Sequence, residues 1–328
     1  MDRSSSTRLI GVTGAGGYIG AALVDYLLQR GYRVRALDCF TRGHIPIPSW
    51  EKEVEIVDQD LTRFGPSLRA FTDGLDFVFD LAAIPEVARC EADPAACLQN
   101  NAVARVALLR EVTASNVAGY LLASSITSVY GEVSVPIIDE YTRPHPQNIY
   151  GLSKVWAEEA ARLFYERHPF ATLIVRQANV YGPSPALHNQ GVLHRFLQRA
   201  LAHEPLQIYG DGRQVRSFLF IEDLLAAYVG LMERALQGPP QWAVINLPGA
   251  TAPIGELAQW CLRAVGQPGV SPSRIEYLPA RVEATDEGLQ ISTQKVTEWL
   301  GHWSPTPLQQ GICTTLRFLR SYVSRPTD

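Results

Sequence analysis

A glycine-rich turn between a short apolar run and a helical pattern is the feature that most constrains how this chain folds. Residues 9–12 (Leu-Ile-Gly-Val) are typical of a buried parallel strand. Residues 13–20 (Thr-Gly-Ala-Gly-Gly-Tyr-Ile-Gly) follow, and apolar residues at helical spacing begin at Ala22. Glycine permits the tight turn, lets backbone N–H groups approach a pyrophosphate, and lets the helix pack close to the strand. The residues predicted to lie at the phosphates are Gly14, Gly17, Tyr18 and Ile19.

A glycine turn by itself is compatible with a purely structural role, but an acid at the right distance favours a cofactor site. Residues 32–37 read as a second strand, and Asp38 follows it, about 20 residues beyond the glycines. A carboxylate at this place accepts hydrogen bonds from an adenosine ribose 2′-OH and repels a 2′-phosphate. The sequence therefore predicts NAD rather than NADP, although the nearby Arg42 also suits NADP. We also assign Arg42 and Gly43 to the cofactor.

Strands and helices alternate through the first half of the chain. Further strands are predicted at 54–57, 77–81, 120–124 and 172–175, with long helices at about 94–115 and 150–167. This alternation predicts a parallel sheet wound on both faces, whose ligands lie at the carboxyl ends of the strands. The residues that follow the third and fourth strands, and that we expect at the cofactor, are Asp60, Leu61, Leu81, Ala82 and Ala83.

Frequent prolines beyond about residue 180 indicate a change of architecture. The predicted fold class is α/β: a Rossmann-type doubly wound parallel sheet with a smaller mixed α/β substrate-binding lobe. We assign residues 1–178 to an NAD-binding domain, with returning segments near 214–246. Residues 179–328 form the interleaved lobe for the substrate.

Composition excludes several other classes of protein. With 328 residues, 46% apolar residues and a net charge of −4, the chain can bury a large core and has no basic run for nucleic acid. It has no apolar stretch of about 18–20 residues that would span a membrane, and no secretory signal is expected at residues 1–8. The five scattered cysteines predict a reducing cytoplasm, with neither a disulfide framework nor a metal site.

A tyrosine and a lysine four residues apart form the candidate catalytic pair. Tyr150 and Lys154 share one face of a predicted helix. A phenol has an ordinary pKa of about 10, and an adjacent ammonium together with a positive nicotinamide ring would lower that pKa. The hydroxyl-rich segment 123–131 comes at the end of a strand. One of its hydroxyls is expected to bond the substrate hydroxyl, although all of them could simply bond the loop backbone.

With these residues in view, the chain resembles the extended short-chain dehydrogenase/reductase family, and within it the nucleotide-sugar epimerases and dehydratases. The resemblance covers nearly the whole chain. Besides the glycine turn and Tyr150-x-x-x-Lys154, its motifs are Asn101, Val129-Tyr130-Gly131, Arg176-x-x-Asn179-Val180-Tyr181-Gly182-Pro183, Ile208-Tyr209-Gly210-Asp211-Gly212 and Arg216-Ser217-Phe218.

The resemblance implies NAD-dependent 4-epimerisation of a nucleotide sugar, most simply a UDP-sugar, with Tyr150 as the base. It implies that Asn101 lies at the cofactor and that the two long helices pair across a homodimer. The positions that the resemblance implies for the nucleotide sugar are Asn179, Arg216 and Arg281 at the diphosphate, with Val192 and Tyr209 flanking the base.

Departures from the family pattern leave alternatives open. Ile126 stands where a helper Ser or Thr is usual, so Thr127 or Ser125 is expected to take that role, or Tyr150 acts without it. No acid precedes Val129-Tyr130-Gly131, which disfavours a 4,6-dehydratase or a UDP-glucuronate decarboxylase. Asp80 and Ser292 replace a common His and Asp.

Two further activities remain possible at this stage. A reductase or dehydrogenase of the same fold, including a 4-ketoreductase, would consume the reduced cofactor stoichiometrically. A non-catalytic NAD-sensing protein is disfavoured because both Tyr150 and Lys154 are present. Glu86 and Arg89 are candidates to meet the sugar ring, and an arginine there would favour a uronate.

Overall fold

Strands and helices alternate as the sequence predicts. The computed structural model describes residues 8–40, 50, 53–132, 135–186, 191–266, 273–279 and 290–323. The strands are β1 (Leu9–Thr13), β2 (Arg33–Asp38), β3 (Val54–Asp58), β4 (Phe77–Asp80), β5 (Gly119–Ser125), β6 (Ala171–Gln177), β7 (Asn179–Tyr181), β8 (Leu206–Tyr209), β9 (Val215–Phe220), β10 (Trp242–Leu247), β11 (Ala250–Pro253) and β12 (Ile275–Leu278).

The helices occupy the crossovers between the strands and the end of the chain. They are α1 (Tyr18–Gln29), α2 (Pro66–Thr72), α3 (Val87–Ala92), α4 (Pro94–Leu98), α5 (Ala104–Ala114), α6 (Ile126–Tyr130), α7 (Ile149–Arg167), α8 (Val192–Leu201), α9 (Ile221–Gln237), α10 (Ile254–Val265), α11 (Gln294–Leu300) and α12 (Leu308–Val323). No helix within the described ranges is long and apolar enough to cross a membrane.

Seven parallel strands form the central sheet in the order β10-β6-β5-β4-β1-β2-β3. Neighbouring residues of a strand point to opposite faces, so Phe77 and Phe79 pack in one buried cluster and Val78 packs in another. Helices α1 and α9 cover the first face, whereas α2, α5 and α7 cover the second. The predicted doubly wound Rossmann-type fold is confirmed.

Two smaller sheets lie beyond the central one. The first has the order β11-β9-β7, and the second pairs β12 with β8. Their apolar side chains join those of α8, α10 and α12 in a separate buried cluster. Between β9 and β11 the chain passes back through the central sheet, where β10 pairs with β6. The division into a cofactor domain and a substrate lobe at about residue 178 stays a prediction.

The helix predicted at about 94–115 is interrupted. Between α4 and α5, residues Gln99–Val103 form one turn of π-helix. Asn101 lies in this turn, and its side chain is bonded at both ends: Oδ1 accepts from the Ile84 N–H at 2.8 Å, and Nδ2 donates to the Ile84 carbonyl at 3.0 Å. The widened turn lets an amide side chain reach a neighbouring loop, and such turns are frequent at functional sites.

The expectation of free cysteines is wrong at one place. Cys90 of α3 and Cys97 of α4 are joined by a disulfide, with their Cα atoms 5.1 Å apart. The chain reverses between the two helices at Asp93, whose carboxylate accepts from the Ala96 N–H and caps α4. This reversal brings together two cysteines that are seven residues apart. Cys39, Cys261 and Cys313 form no disulfide within the part of the chain that the structure describes.

Two glycines let the turn after β1 close. Gly14 has a φ of +67°, and a Cβ placed there would lie 2.7 Å from both the Cα and the N of Ala82. A Cβ on Gly20 would lie 2.0 Å from the carbonyl oxygen of Gly14. Backbone atoms cannot move aside as a flexible side chain can, so neither position accepts a larger residue without displacing the turn.

We expect Gly20→Ala to lower the free energy of unfolding by about 2 kcal/mol, because the added methyl group forces α1 away from the turn. The midpoint of thermal unfolding, measured by calorimetry, should fall by about 4 °C. Gly238→Ala is the matched control, since a Cβ there would meet only the end of the Gln241 side chain at 3.9 Å. Equal midpoints for the two variants would contradict the steric argument.

Candidate active site

The predicted cofactor residues that the structure describes lie along one edge of the central sheet. Gly14 and Gly17 form the turn after β1, while Tyr18 and Ile19 begin α1. Asp38 is the last residue of β2. The others follow neighbouring strands, with Asp60 and Leu61 after β3 and Leu81, Ala82 and Ala83 after β4. Arg42 and Gly43 fall outside the described residues.

The start of α1 suits a diphosphate. Gly17 caps the helix without a side-chain hydrogen bond, and the first turn contains no acid. The first N–H groups of a helix have no partner within the helix and carry its positive dipole end. Gly14, Gly16 and Gly17 line the approach to these groups, so no bulky side chain arises from the turn itself. The arrangement fits the pyrophosphate of a dinucleotide.

Two acids lie where β2 and β3 end on this edge. Asp38 Oδ2 accepts from the Gly16 N–H at 2.9 Å, and its Oδ1 accepts from the Phe40 N–H at 3.0 Å. These bonds fix the carboxylate beside the glycine turn, where a ribose hydroxyl can still donate to its remaining lone pairs. Asp60 Oδ1 accepts from the N–H and the hydroxyl of Thr62, at 2.8 and 2.7 Å, and thereby shapes the loop after β3.

Asn101 connects the loop after β4 to α7. Its Nδ2 also donates to Ser153 Oγ at 3.1 Å, and Ser153 Oγ donates to the Tyr150 carbonyl at 2.7 Å. Tyr150 packs against the cluster of Ile84, Cys90 and Cys97, and Glu91 accepts from the Ile149 N–H at 2.8 Å. The loop after β4 and the first turns of α7 therefore hold a fixed relation to each other.

Tyr150 and Lys154 lie on the first turns of α7, as predicted. Asn148 caps this helix by accepting from the Gly151 N–H at 2.8 Å. Tyr150 is half-buried, whereas Lys154 is buried and donates to the Ala123 carbonyl at 2.9 Å. The ammonium lies 5.7 Å from the centre of the Tyr150 ring. The pair is thus anchored at the carboxyl end of β5.

The protein alone does not lower the pKa of Tyr150. Burial disfavours the phenolate and raises this pKa above its ordinary value of 10.0, and the carboxylate of Glu86 raises it further. The expected lowering of this pKa requires the nicotinamide ring together with the Lys154 ammonium, and it stays a prediction for the protein with NAD bound. Lys154 itself is affected by burial, which lowers its pKa to about 8.

The hydroxyls at the end of β5 have different surroundings. Ser124 is buried and donates to Glu158 Oε1 at 2.5 Å. Ser125 Oγ caps α6 by accepting from the Ser128 N–H at 3.4 Å. Thr127 is half-buried, and its hydroxyl has no hydrogen bond to the parts of the chain that the structure describes. Thr127 and Ser125 both remain candidates for the helper role.

The residues predicted for the nucleotide sugar that the structure describes lie on the smaller sheets and at the start of α8. Asn179 begins β7 and pairs with Phe218 of β9, two residues from Arg216 on the same strand. Positions 179 and 216 therefore share one face of the sheet. Val192 begins α8 and Tyr209 ends β8. Arg281 lies outside the described residues.

A set of hydrogen bonds joins the glycine turn to the segment after β7. The Tyr18 hydroxyl donates to the Gly182 carbonyl at 2.6 Å, and Ser184 Oγ donates to the Tyr18 carbonyl at 2.6 Å. His194 Nε2 lies 3.0 Å from the same Gly182 carbonyl. Burial lowers the pKa of His194 to about 4, so the ring is neutral near pH 7 and this contact does not change there.

Sequence reasoning missed two buried ion pairs. Arg176 Nη2 lies 2.6 Å from Glu158 Oε2 and Arg176 Nη1 donates to the Tyr130 hydroxyl at 2.8 Å. The second pair joins Asp80 to Arg105, with Arg105 Nε 2.9 Å from Asp80 Oδ2. The signal for Asp80 was its replacement of a common histidine, but its partner lies on another element and leaves no local pattern.

Comparison with known proteins agrees with this geometry. Residues 10–246 match the NAD dependent epimerase/dehydratase family. A UDP-glucose 4-epimerase of Mycolicibacterium smegmatis is 30% identical over 320 residues, which cover 94% of this chain and 98% of that protein. UDP-glucuronic acid decarboxylase 4 of Arabidopsis thaliana is 29% identical over 326 residues, which cover 95% of this chain and 68% of the relative.

A solved structure has the same fold with cofactor and substrate bound. UDP-glucuronic acid 4-epimerase from Bacillus cereus, in complex with UDP-glucuronic acid and NAD, superposes with a TM-score of 0.84 at 25% identity. The match covers 96% of this chain and 99% of that chain. This chain belongs to the NAD-dependent epimerase/dehydratase family, with NAD as its cofactor.

Proposed function

We propose that this protein is an NAD-dependent 4-epimerase of a nucleotide sugar, with a UDP-sugar as substrate. The observation that carries the proposal is the pair formed by Tyr150 and Lys154, anchored beside the loop after β4 and the glycine turn. A phenol and an ammonium at the carboxyl edge of a dinucleotide fold suit the removal of a proton from a sugar hydroxyl as its carbon loses hydride. The printed names of two similar proteins, from Mycolicibacterium smegmatis and Bacillus cereus, describe 4-epimerases of UDP-sugars.

In this proposal the residues of the chain handle the proton and the geometry. NAD, when bound, would supply the acceptor and the donor for the hydride of C4 of the sugar. Tyr150 takes the proton of the C4 hydroxyl as the C4 carbonyl forms. It gives the proton back when that carbonyl is reduced from its opposite face, which regenerates the hydroxyl with the opposite configuration. Lys154 supplies positive charge below the ring and holds the cofactor ribose. Proton and hydride leave and return once each, so no net oxidation occurs.

Thr127 or Ser125 is proposed to donate to the reacting hydroxyl beside Tyr150. Asn179 and Arg216 would hold the diphosphate, because a guanidinium can bond two phosphate oxygens while carrying a fixed charge. Val192 and Tyr209 would flank the base. In this scheme residues 1–178, with returning segments near 214–246, bind NAD, and residues 179–328, which include Arg281, bind the nucleotide sugar.

The alternatives are disfavoured by the residues before Val129-Tyr130-Gly131. A dehydratase or a decarboxylase needs an acid there, and the short helix α6 carries Thr127 and Ser128 instead. A 4-ketoreductase of the same family would keep the same base and differ in consuming reduced cofactor. Because a decarboxylase of Arabidopsis thaliana is similar to this chain, decarboxylation is an alternative activity. The first experiment below would detect it.

Proton NMR of the purified protein with UDP-glucose, UDP-glucuronate and UDP-N-acetylglucosamine, without added reductant, is the first test. We expect one sugar to give a new anomeric signal that reaches a fixed ratio with its precursor, because 4-epimers interconvert without net redox change. A pentose product would indicate decarboxylation. Turnover only after addition of NADH or NADPH would replace the epimerase by a reductase.

Tyr150→Phe should lower turnover at least a hundredfold, because it removes the group that exchanges the proton. Retained NAD, measured after denaturation, should stay near that of the unaltered protein. Tyr165→Phe is the matched control, since Tyr165 lies on the same helix and packs against Trp242. A Tyr150→Phe protein with near-normal turnover would exclude Tyr150 as the base.

Glu86→Gln should move the acid limb of the pH–rate profile to lower pH, by about half a unit. The Glu86 carboxylate raises the pKa of Tyr150, so its removal lowers that pKa and provides phenolate at a lower pH. Glu55→Gln, on the edge strand β3, removes the same charge far from Tyr150 and should leave the limb in place. An unmoved limb in the Glu86 variant would show that another group sets it.

We also propose a homodimer formed through α5 and α7. Val103 at the end of the π-helical turn, Val106 on α5, and Trp156 and Leu163 on α7 are large apolar side chains that are 40–49% exposed. The two helices pack side by side, and we infer that these residues form one apolar surface. A second copy of the same surface would bury it as a four-helix bundle. The cytoplasmic location stays a prediction.

Trp156→Glu should convert the dimer to a monomer, because a carboxylate cannot be buried unpaired in an apolar interface. Light scattering after size-exclusion chromatography should give a mass near 36.2 kDa, the mass of one chain. Tyr277→Glu, which changes an exposed aromatic residue of β12, should keep the mass of the unaltered protein. A monomeric unaltered protein would overturn the proposed dimer.

A further inference from the structure

A fully buried pair of opposite charges lies below the cofactor edge. Arg105 Nε is 2.9 Å from Asp80 Oδ2, and both residues are about 1% exposed. Asp80 also accepts from Thr13 Oγ1 at 2.7 Å and from the Tyr120 hydroxyl at 2.6 Å. Burial and the nearby Asp80 raise the pKa of Tyr120, so its hydroxyl stays protonated and keeps donating.

This pair holds the backbone that approaches the glycine turn. Arg105 Nη1 donates to the Ala82 carbonyl at 2.5 Å. Thr13 Oγ1, which donates to Asp80, accepts from the N–H groups of Leu81 and Ala82 at 3.1 and 3.2 Å. The loop after β4 is therefore fastened to β1 and to α5 by side chains that end in one ion pair.

Stability alone does not account for the pair. Taking two charges out of water costs several kcal/mol per ion, and apolar residues of similar volume often serve as well or better. In addition, Arg105 Nη2 is buried with no hydrogen-bond partner among the described residues. An unpaired buried donor carries a further cost, which an apolar replacement would avoid.

Lys154 lies near this pair, because Asp80 of β4 is paired with Leu122 of β5 and the ammonium donates to the carbonyl of the next residue, Ala123. Burial is the main cause that lowers its pKa, and the Arg105 guanidinium on α5 lowers it further. The carboxylates of Asp80 on β4 and of Glu158 on α7 raise it. The phenol of Tyr150 is a further titratable neighbour of Lys154, and the centre of its ring lies 5.7 Å from the ammonium.

We propose that Asp80 and Arg105 are positioning residues of the active site. The pair fixes Leu81 and Ala82 against the glycine turn, and it sets the balance of charge that decides how readily Lys154 keeps its proton. The inference rests on the proposed role of Lys154. Its test needs no sugar, so it can fail while the proposed activity stands, and the activity can fail while the test succeeds.

The sequence makes a direct measurement practical. The chain contains three lysines, Lys52, Lys154 and Lys295. Labelling lysine with ¹³C at Cε therefore gives three signals. The signal that is missing from the spectrum of the Lys154→Met variant belongs to Lys154. The chemical shift of Cε, followed against pH in the protein as purified, reports the protonation of Lys154 itself.

Single variants should move the titration of Lys154 in opposite directions. Asp80→Asn removes a negative charge, so the midpoint should fall by about one pH unit. Arg105→Gln removes a positive charge, so the midpoint should rise by about one pH unit. A role confined to packing would leave both midpoints unchanged, whatever it did to stability.

A double variant and a surface control complete the set. Asp80→Asn combined with Arg105→Gln removes both charges and should return the midpoint close to that of the unaltered protein. The double variant also serves if the Arg105→Gln protein does not fold because its buried Asp80 carboxylate has lost the neutralising guanidinium. Arg162→Gln removes a cation from an exposed ion pair with Glu159 on α7 and should leave the midpoint unchanged.

Retained NAD provides the second readout. All three variants of the pair should release NAD during purification and hold less than a third of the amount in the unaltered protein, because the Ala82 backbone loses its tie to α5 or to β1. Opposite midpoint shifts together with NAD loss support the proposal. Midpoints that stay fixed or move in the same direction overturn it, as does NAD retention equal to that of the unaltered protein.

Discussion

Much of the site geometry follows from the close approach of two backbone segments, the turn after β1 and the loop after β4. A Cβ on Gly14 would lie 2.7 Å from Ala82, so these segments can meet only with glycine in the turn. Contacts of the loop after β4 also fix the position of α7. The loop after β4 leads to Ile84, which is bonded to Asn101, and Asn101 is bonded to Ser153 of α7. Glycine turn and catalytic helix are thus connected by short contacts, with no flexible segment between them.

Two buried ion pairs lie near Lys154, which itself forms no ion pair within the described residues. Asp80 neutralises Arg105, and Glu158 neutralises Arg176. Each pair is neutral as a whole, which explains why burial remains the main cause that lowers the pKa of Lys154. Interactions between charges are strong where water is excluded, so the loss of one member of either pair would be felt at the ammonium. The two ion pairs therefore affect the pKa of Lys154 without forming an ion pair with it.

The sequence predicts local features well and distant pairs poorly. The glycine turn, Asp38 and the spacing of Tyr150 and Lys154 are each contained in one segment, so strand, turn and helix patterns suffice to place them. The partners Asp80 and Arg105 lie on a strand and a helix that only the folded topology brings together. The disulfide of Cys90 and Cys97 depends likewise on a chain reversal. The roles of Arg42, Gly43 and Arg281, outside the described residues, stay predictions, as does the division of the chain at about residue 178.

The surroundings of the half-buried Tyr150 keep its phenol protonated in the protein without cofactor. Burial and the Glu86 carboxylate both raise its pKa, while the Lys154 ammonium is committed to the Ala123 carbonyl. The protein therefore keeps the phenol protonated until positive charge enters from outside the chain. In the proposed enzyme that charge arrives with the oxidised cofactor, because the nicotinamide ring is cationic only in that form. In that scheme Tyr150 would lose its proton most readily in the state in which a hydride can also be accepted.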